Sequence, residues 1–157
     1  MSRPVEGSTL RLRPERSAER PTSKGRLRER IDAVEAAYEF MLAYAAQGVA
    51  GDEEGGSTEI RARLKRSDGA LEGLASLLKA AVKKKKLGQA ERYRAFILVI
   101  EQDAGIARAA IQLVLAQRAI SSQLIDNLNA LIHLRALLTD LFLIDEVLKP
   151  TSGREKD

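Results

Sequence analysis

The chain has 157 residues, 45% hydrophobic and 31% charged, and it contains no cysteine. That balance fits one globular helical domain and excludes a wholly disordered chain, while the missing cysteines exclude disulfides, thiolate nucleophiles and Cys-based zinc sites. The net charge of +4 sits at one end: residues 1–30 hold nine Lys/Arg against four Asp/Glu, and the remainder sums to −1.

Residues 1–24 read as a disordered basic arm. They carry three of the four prolines and almost no apolar periodicity. No apolar stretch marks a secretory signal, and Glu6, Glu15 and Glu19 tell against a transit peptide. The helical domain is expected over 25–149 and a flexible tail over 150–157.

Helix A is predicted from about Arg26 to Gln47. Leu27, Ile31, Val34, Tyr38, Met41 and Ala45 recur at steps of four and three, which places them on one face. Phe40 and Tyr44 share another face, which reads as a wider buried face or, as the alternative, a partner-binding edge. Gly48 suits the left-handed residue that closes a helix. Residues 48–58 follow as a Gly- and acid-rich loop, with Ser57 or Thr58 able to cap the next helix.

Helix B is predicted from about Glu59 to Lys86 on Ile60, Leu64, Ala70 or Leu71, Leu74, Leu78 and Val82. Ser67-Asp68-Gly69 interrupts it, and Gly69 and Gly73 each cost about 1 kcal/mol relative to Ala, so a kink or a short break is expected there. Helix C runs from Gln89 to Arg118, with Tyr93, Ile97, Ile100, Ala104, Ala107, Ile111 and Val114 in heptad rhythm. Small residues at Ala104, Gly105, Ala107, Ala109 and Ala110 would let a neighbouring helix come close.

Helix D, from Ser122 to Leu148, is the most apolar segment, with 16 of 25 residues apolar over 124–148. Leu124, Leu128, Leu131, Leu138 and Phe142 form its central stripe. The strip through Asp126, Asn129, His133 and Asp140 is polar and expected to be solvated. Asp126, His133, Arg135, Asp140, Asp145 and Glu146 exclude a simple membrane span.

The fold these elements define is all-α, a bundle of about four helices. The alternative is an extended helical hairpin or coiled coil in which C and D are continuous. No Gly or Pro lies between Gly105 and Pro150, although Ser121-Ser122 offers a cap.

No constellation carries obvious chemistry. His133 is the single histidine, and Ser121 and Ser122 lie three turns before it, too far to share a proton along one helix. Ala130 stands where a di-iron bundle places Glu, so that metal motif is absent. No cofactor, metal ligand set or catalytic group is expected. A phosphoacceptor role for His133 is the sharpest enzymatic alternative, since a lone His on a bundle helix beside Arg135 is how histidine phosphotransfer modules present theirs.

Arg11, Arg13, Arg16 and Arg20 of the arm, with Lys83, Lys84, Lys85 and Lys86, form candidate contacts to nucleic acid or an anionic surface. The arm has no aromatic residue for stacking on bases. Leu134, Leu137, Leu141, Ile144 and Leu148 mark a candidate protein interface, because helix D carries more apolar surface than a small bundle covers. The leading expectation is a cytoplasmic, non-enzymatic adaptor, chaperone-like or scaffold protein that binds a protein partner or a second copy of itself.

Overall fold

A computed structural model describes residues 23–51, 56–85 and 88–149. Arg11, Arg13, Arg16, Arg20 and Lys86 lie outside these residues, as does the expected tail. The described residues are all-α, with no strand among them. In chain order the helices are α1 (Ser23–Ala46), α2 (Gly56–Leu71), α3 (Leu74–Lys85), α4 (Ala90–Leu115), α5 (Ser122–Asn129) and α6 (Ile132–Leu148).

The expected helix A is α1, and its face is turned slightly from the expected one. Leu27, Ile31, Val34, Ala37, Met41 and Tyr44 are buried, while Tyr38 is half-buried. Tyr44 is therefore core and not a partner-binding edge. Its hydroxyl donates to the carbonyl of Ile120 at 2.6 Å, so the ring is buried with its polar tip satisfied. Phe40 stacks against Tyr44, with ring centroids 6.4 Å apart, and lies under the Arg63 guanidinium at 5.2 Å.

The expected helix B is two helices. The break falls at Glu72-Gly73, where Gly73 has φ +68°, a conformation that glycine adopts without strain. It does not fall at Ser67-Asp68-Gly69, because the bundle uses those polar groups in place. Ser67 is buried, and the Asp68 carboxylate accepts from Arg108 Nε at 2.9 Å and Gln112 Nε2 at 3.2 Å.

The expected helix C is the unbroken α4. Ile97, Ile100, Ala104, Ala107, Ile111 and Val114 point inward, against α6, α3 and α2. A continuous C–D helix is ruled out, since α4 ends at Leu115. Ile120 is buried, and the Ser121 hydroxyl caps α5 by accepting from the Leu124 amide at 3.1 Å.

The expected helix D is also two helices, parted at Ala130-Leu131, where Leu131 is extended (φ −63°, ψ 113°). The sequence shows no Gly or Pro at this break. The break re-aims the apolar faces: α5 buries Ile125 and Leu128, and α6 buries Leu134, Leu137, Leu138, Leu141, Ile144 and Leu148. The five residues expected to form a protein interface are thus all inside the chain's own core. They cannot meet a partner while the fold is intact. Phe142, placed on the expected central stripe, is instead exposed.

Only α3 of the described helices has basic residues in its own last turn. Three of the others, α2, α4 and α6, have final carbonyls capped by a cation from another part of the chain. Arg30 of α1 donates to Ala70 O at 3.0 Å and to Glu72 O. Arg61 of α2 donates to Leu115 O at 2.9 Å and to Arg118 O at 3.0 Å. Lys85, ending α3, donates to Leu148 O. The end of α1 is closed differently: the buried Ser122 hydroxyl donates to Tyr44 O at 2.6 Å and accepts from the Val49 amide at 2.8 Å. Gly51, with φ +92°, lets the following loop pass close by; a Cβ there would lie 3.2 Å from the Ser121 amide nitrogen.

Hydrogen bonds to a charged donor contribute about 1.5–3 kcal/mol each, and their loss leaves carbonyls of α4 unpaired. Arg61→Met is therefore expected to destabilise the fold by about 2 kcal/mol, lowering the circular-dichroism melting temperature by roughly 4–10 °C. Arg66→Met, on an exposed position of the same helix, is expected to stay within about 0.5 kcal/mol of the parent. Equal losses in the two variants would contradict the capping role.

Candidate interaction surface

α4 carries two apolar stripes in heptad rhythm, not one. The inward stripe makes the core. The outward stripe consists of Ala95, Val99, Gln102, Ile106, Ala109 and Leu113, at alternating steps of four and three, and every one of these residues is exposed. Val99, Ile106 and Leu113 are among the exposed large apolar residues of the fold, and Leu113 has 65% of its surface open. A helix apolar on two sides needs cover on both. Here the described residues cover one.

α6 extends this face on one flank. Leu143 and Val147 are about half exposed and line a groove against Tyr93 and Phe96 of α4. Ile132, at the start of α6, is 76% exposed. A second, smaller apolar pair, Leu42 of α1 and Phe142 of α6, shares a groove with Glu35, Glu39 and Arg135. The sequence reading used one stripe of helix C and assigned it to the core. The second stripe has the same period and was legible by the same test, but nothing in the sequence tells which stripe faces in.

Polar pairs flank the outward stripe on both sides. Toward α6, His133 Nδ1 lies 3.2 Å from Asp103 Oδ1. Asp140 also reaches Asp103, and its Oδ2 is buried without a partner. Burial, a hydrogen bond to Asp103 and the charge of that residue together raise Asp140 to about 7. Toward α2, Arg108 pairs with Asp68, and that hydrogen bond raises the guanidinium above its ordinary value.

The strip expected to be solvated is thus largely engaged. His133 and Asp140 turn to α4, and Asn129 is 93% removed from solvent, its exposure being 7%. The Asn129 side-chain amide has no hydrogen-bond partner at either atom. Asp126 stays exposed. Among the described residues, no group of three or more His, Cys, Asp or Glu could hold a metal ion. His133, the phosphoacceptor alternative, has its Nδ1 against the Asp103 carboxylate, and its side chain is 46% exposed.

Of the lysine run, Lys83 and Lys84 are exposed, and Lys85 is drawn to the end of α6. Lys83 joins Lys79 and Arg94 around a groove floored by Val82, Ile97 and Leu98. None of the described helices is long and apolar enough to cross a membrane. The chain matches no protein-family model, no curated protein and no solved structure.

The raised carboxyl gives a signed expectation for stability. The folded pKa of Asp140, about 7, lies above the unfolded value near 3.9, so folding takes up a proton between them. The stabilisation is complete below about pH 4 and is lost as pH rises through about 7. The melting temperature of the parent chain, measured at pH 5 and pH 8.5, is therefore expected to fall more than that of Asp140→Asn. The excess corresponds to a loss on the order of 1–2 kcal/mol. Parallel pH profiles for the two proteins would remove Asp140 as the titrating group.

Proposed function

We propose that this chain is a non-catalytic interaction protein: a bundle of four helical segments, two of them broken, that binds another protein through the outer stripe of α4 and the adjoining Leu143 and Val147 of α6. One observation carries this reading. Val99, Ile106 and Leu113 repeat at intervals of seven on a helix whose opposite stripe already fills the core, and all three stand open to solvent. A few exposed leucines scattered singly need no explanation, whereas a contiguous apolar face does. The burial of Leu134, Leu137, Leu141, Ile144 and Leu148 moves the binding surface away from the centre of α6.

The reading is tested with the chain as bait in a native-cell extract treated with nuclease. Ile106→Glu places a charge at the middle of the stripe without touching the core. It is expected to lose at least tenfold of any protein captured by the parent, while keeping the parent's circular-dichroism melt. Equal capture by the parent and Ile106→Glu would place the binding elsewhere.

A second reading has its own support. Lys79, Lys83 and Arg94 converge on one groove between α3 and α4, which suits a nucleic acid or an anionic surface. On this reading, polyanion binding weakens steeply between about 50 and 200 mM salt. Lys79→Glu with Lys83→Glu would abolish it and leave protein capture through Ile106 intact. Salt-independent retention would count against it.

A further inference from the structure

We propose that the occupant of the outer α4 stripe is the same stripe of a second copy, the two α4 helices lying antiparallel about a two-fold axis at the level of Ala104. This rests on the reading of that face as a protein-binding surface and names the partner.

The first ground is shape. The large residues of the stripe, Val99, Ile106 and Leu113, alternate with the smaller or polar Ala95, Gln102 and Ala109. Two such helices pairing antiparallel, with residues whose numbers sum to 208 at one level, set Val99 against Ala109, Ile106 against Gln102 and Leu113 against Ala95. Each large side chain then faces a smaller one, and the layers interdigitate. A two-fold axis repeats every such contact on its other side, as a closed isologous dimer requires. Parallel pairing would set Ala95 against Ala95 and Ala109 against Ala109, leaving gaps, and would stack Gln102 on Gln102.

The second ground is Gly105. Glycine is the least favourable helix residue after proline, yet Gly105 sits near the middle of an unbroken 26-residue helix. Its backbone is ordinary, and a Cβ built on it would meet nothing within 4 Å. Nothing among the described residues therefore asks for glycine there. Gly105 is exposed on the flank of the stripe, next to Ile106, where a missing side chain lets a second helix come close.

The third ground is charge. Glu101, Asp103 and Arg108 lie at the edges or turn inward, so no residue of the stripe from Ala95 to Leu113 carries a charge. The ends do: Glu91 stands at the start of α4, and Arg118 just beyond its last turn. Antiparallel pairing brings Glu91 of one copy to the level of Arg118 of the other, twice. It also opposes the two helix dipoles favourably. Parallel pairing sets Glu91 beside Glu91.

The area is sufficient. The stripe with Ala116 covers three heptads, about 30 Å at 1.5 Å per residue. With α6 beside it the face is two helices wide, about 20 Å at the usual spacing. That is roughly 600 Å² from each copy, or about 1,200 Å² in all, which reaches the lower bound for specific, stable pairs.

The chain has no native cysteine, so introduced ones report without background. Sedimentation of the parent at about 100 µM is expected to show a dimer, and Ile106→Glu to weaken it at least tenfold with an unchanged melt. Ala95→Cys mixed with Leu113→Cys is expected to give a disulfide-linked dimer on mild oxidation. Ala95→Cys alone is expected to give none, because its two copies would lie about 27 Å apart along the axis. A monomer at that concentration overturns the proposal, as does a dimer indifferent to Ile106→Glu. A disulfide formed by Ala95→Cys alone overturns the antiparallel geometry. A monomeric chain that still captures a protein through Ile106 would overturn self-pairing alone and leave the interaction reading standing.

Discussion

The carbonyl ends of the helices are the constraint on which the fold most depends. Six helices among the described residues leave many last-turn carbonyls without an intrahelical partner, and an unpaired carbonyl shielded from water is costly. α2, α4 and α6 bring no cation of their own to these ends. Arg30, Arg61 and Lys85 reach them from 40 to 63 residues away. Each cap therefore does two things. It satisfies a helix end, and it pins that end to a distant helix. The link between α4 and α5 gains most, since Arg61, Tyr44 and Ser122 all act there. This is why α4 stops at Leu115 although no Gly or Pro stops it.

That stop decides the character of α4. A helix continuing past Leu115 would have formed one long rod with helix D, and its outer stripe would have become the seam of an extended coiled coil. Ended where it is, α4 is an unbroken rod laid over α2, α3 and α6 with one side free. The inner stripe is consumed by the core, in which Ile97, Ile100 and Ile111 are fully buried. The outer stripe repeats the same rhythm with comparable apolar content, and nothing among the described residues covers Leu113, which is 65% exposed.

The sequence made the helices legible because apolar period is a local property. Spacing alone puts Ile60, Leu64, Ala70 or Leu71, Leu74, Leu78 and Val82 in the core, and of these only Ala70 is half-buried while the rest are buried. What spacing could not show was every feature set by a distant contact. The break at Ala130-Leu131 has no local signal, because Leu131 is extended for reasons of packing. Ser67-Asp68-Gly69 resembles a helix breaker, and it stays helical because Arg108 and Gln112 reach Asp68 from another helix. Tyr38 and Tyr44 are both plausible core residues by period; Tyr44 is taken because the Ile120 carbonyl waits for its hydroxyl. The same blindness applies to the surface. Leu134, Leu137, Leu141, Ile144 and Leu148 are apolar enough to be an interface, and only the position of α4 shows that they are core.

Two similar apolar stripes on one helix pose a problem of choice, because burying either would remove a comparable apolar area from water. Hydrophobicity alone selects weakly between them. The polar pairs on the flanks of α4 select strongly. Asp103 meets His133 and Asp140 on the side of α6, and Arg108 meets Asp68 on the side of α2. Both sit near the middle of α4. A turn of that helix by one residue, about 100°, would separate both pairs at once and leave partly buried charges unmatched. Such pairs add little net stability, since desolvation offsets much of their attraction, but a wrong orientation that strands them is heavily penalised. The raised pKa of Asp140 is the visible sign of that desolvation. The cluster below the face and the face itself are therefore one device. The charges hold α4 in the rotation that keeps Ile97, Ile100 and Ile111 inside and leaves Val99, Ile106 and Leu113 available outside.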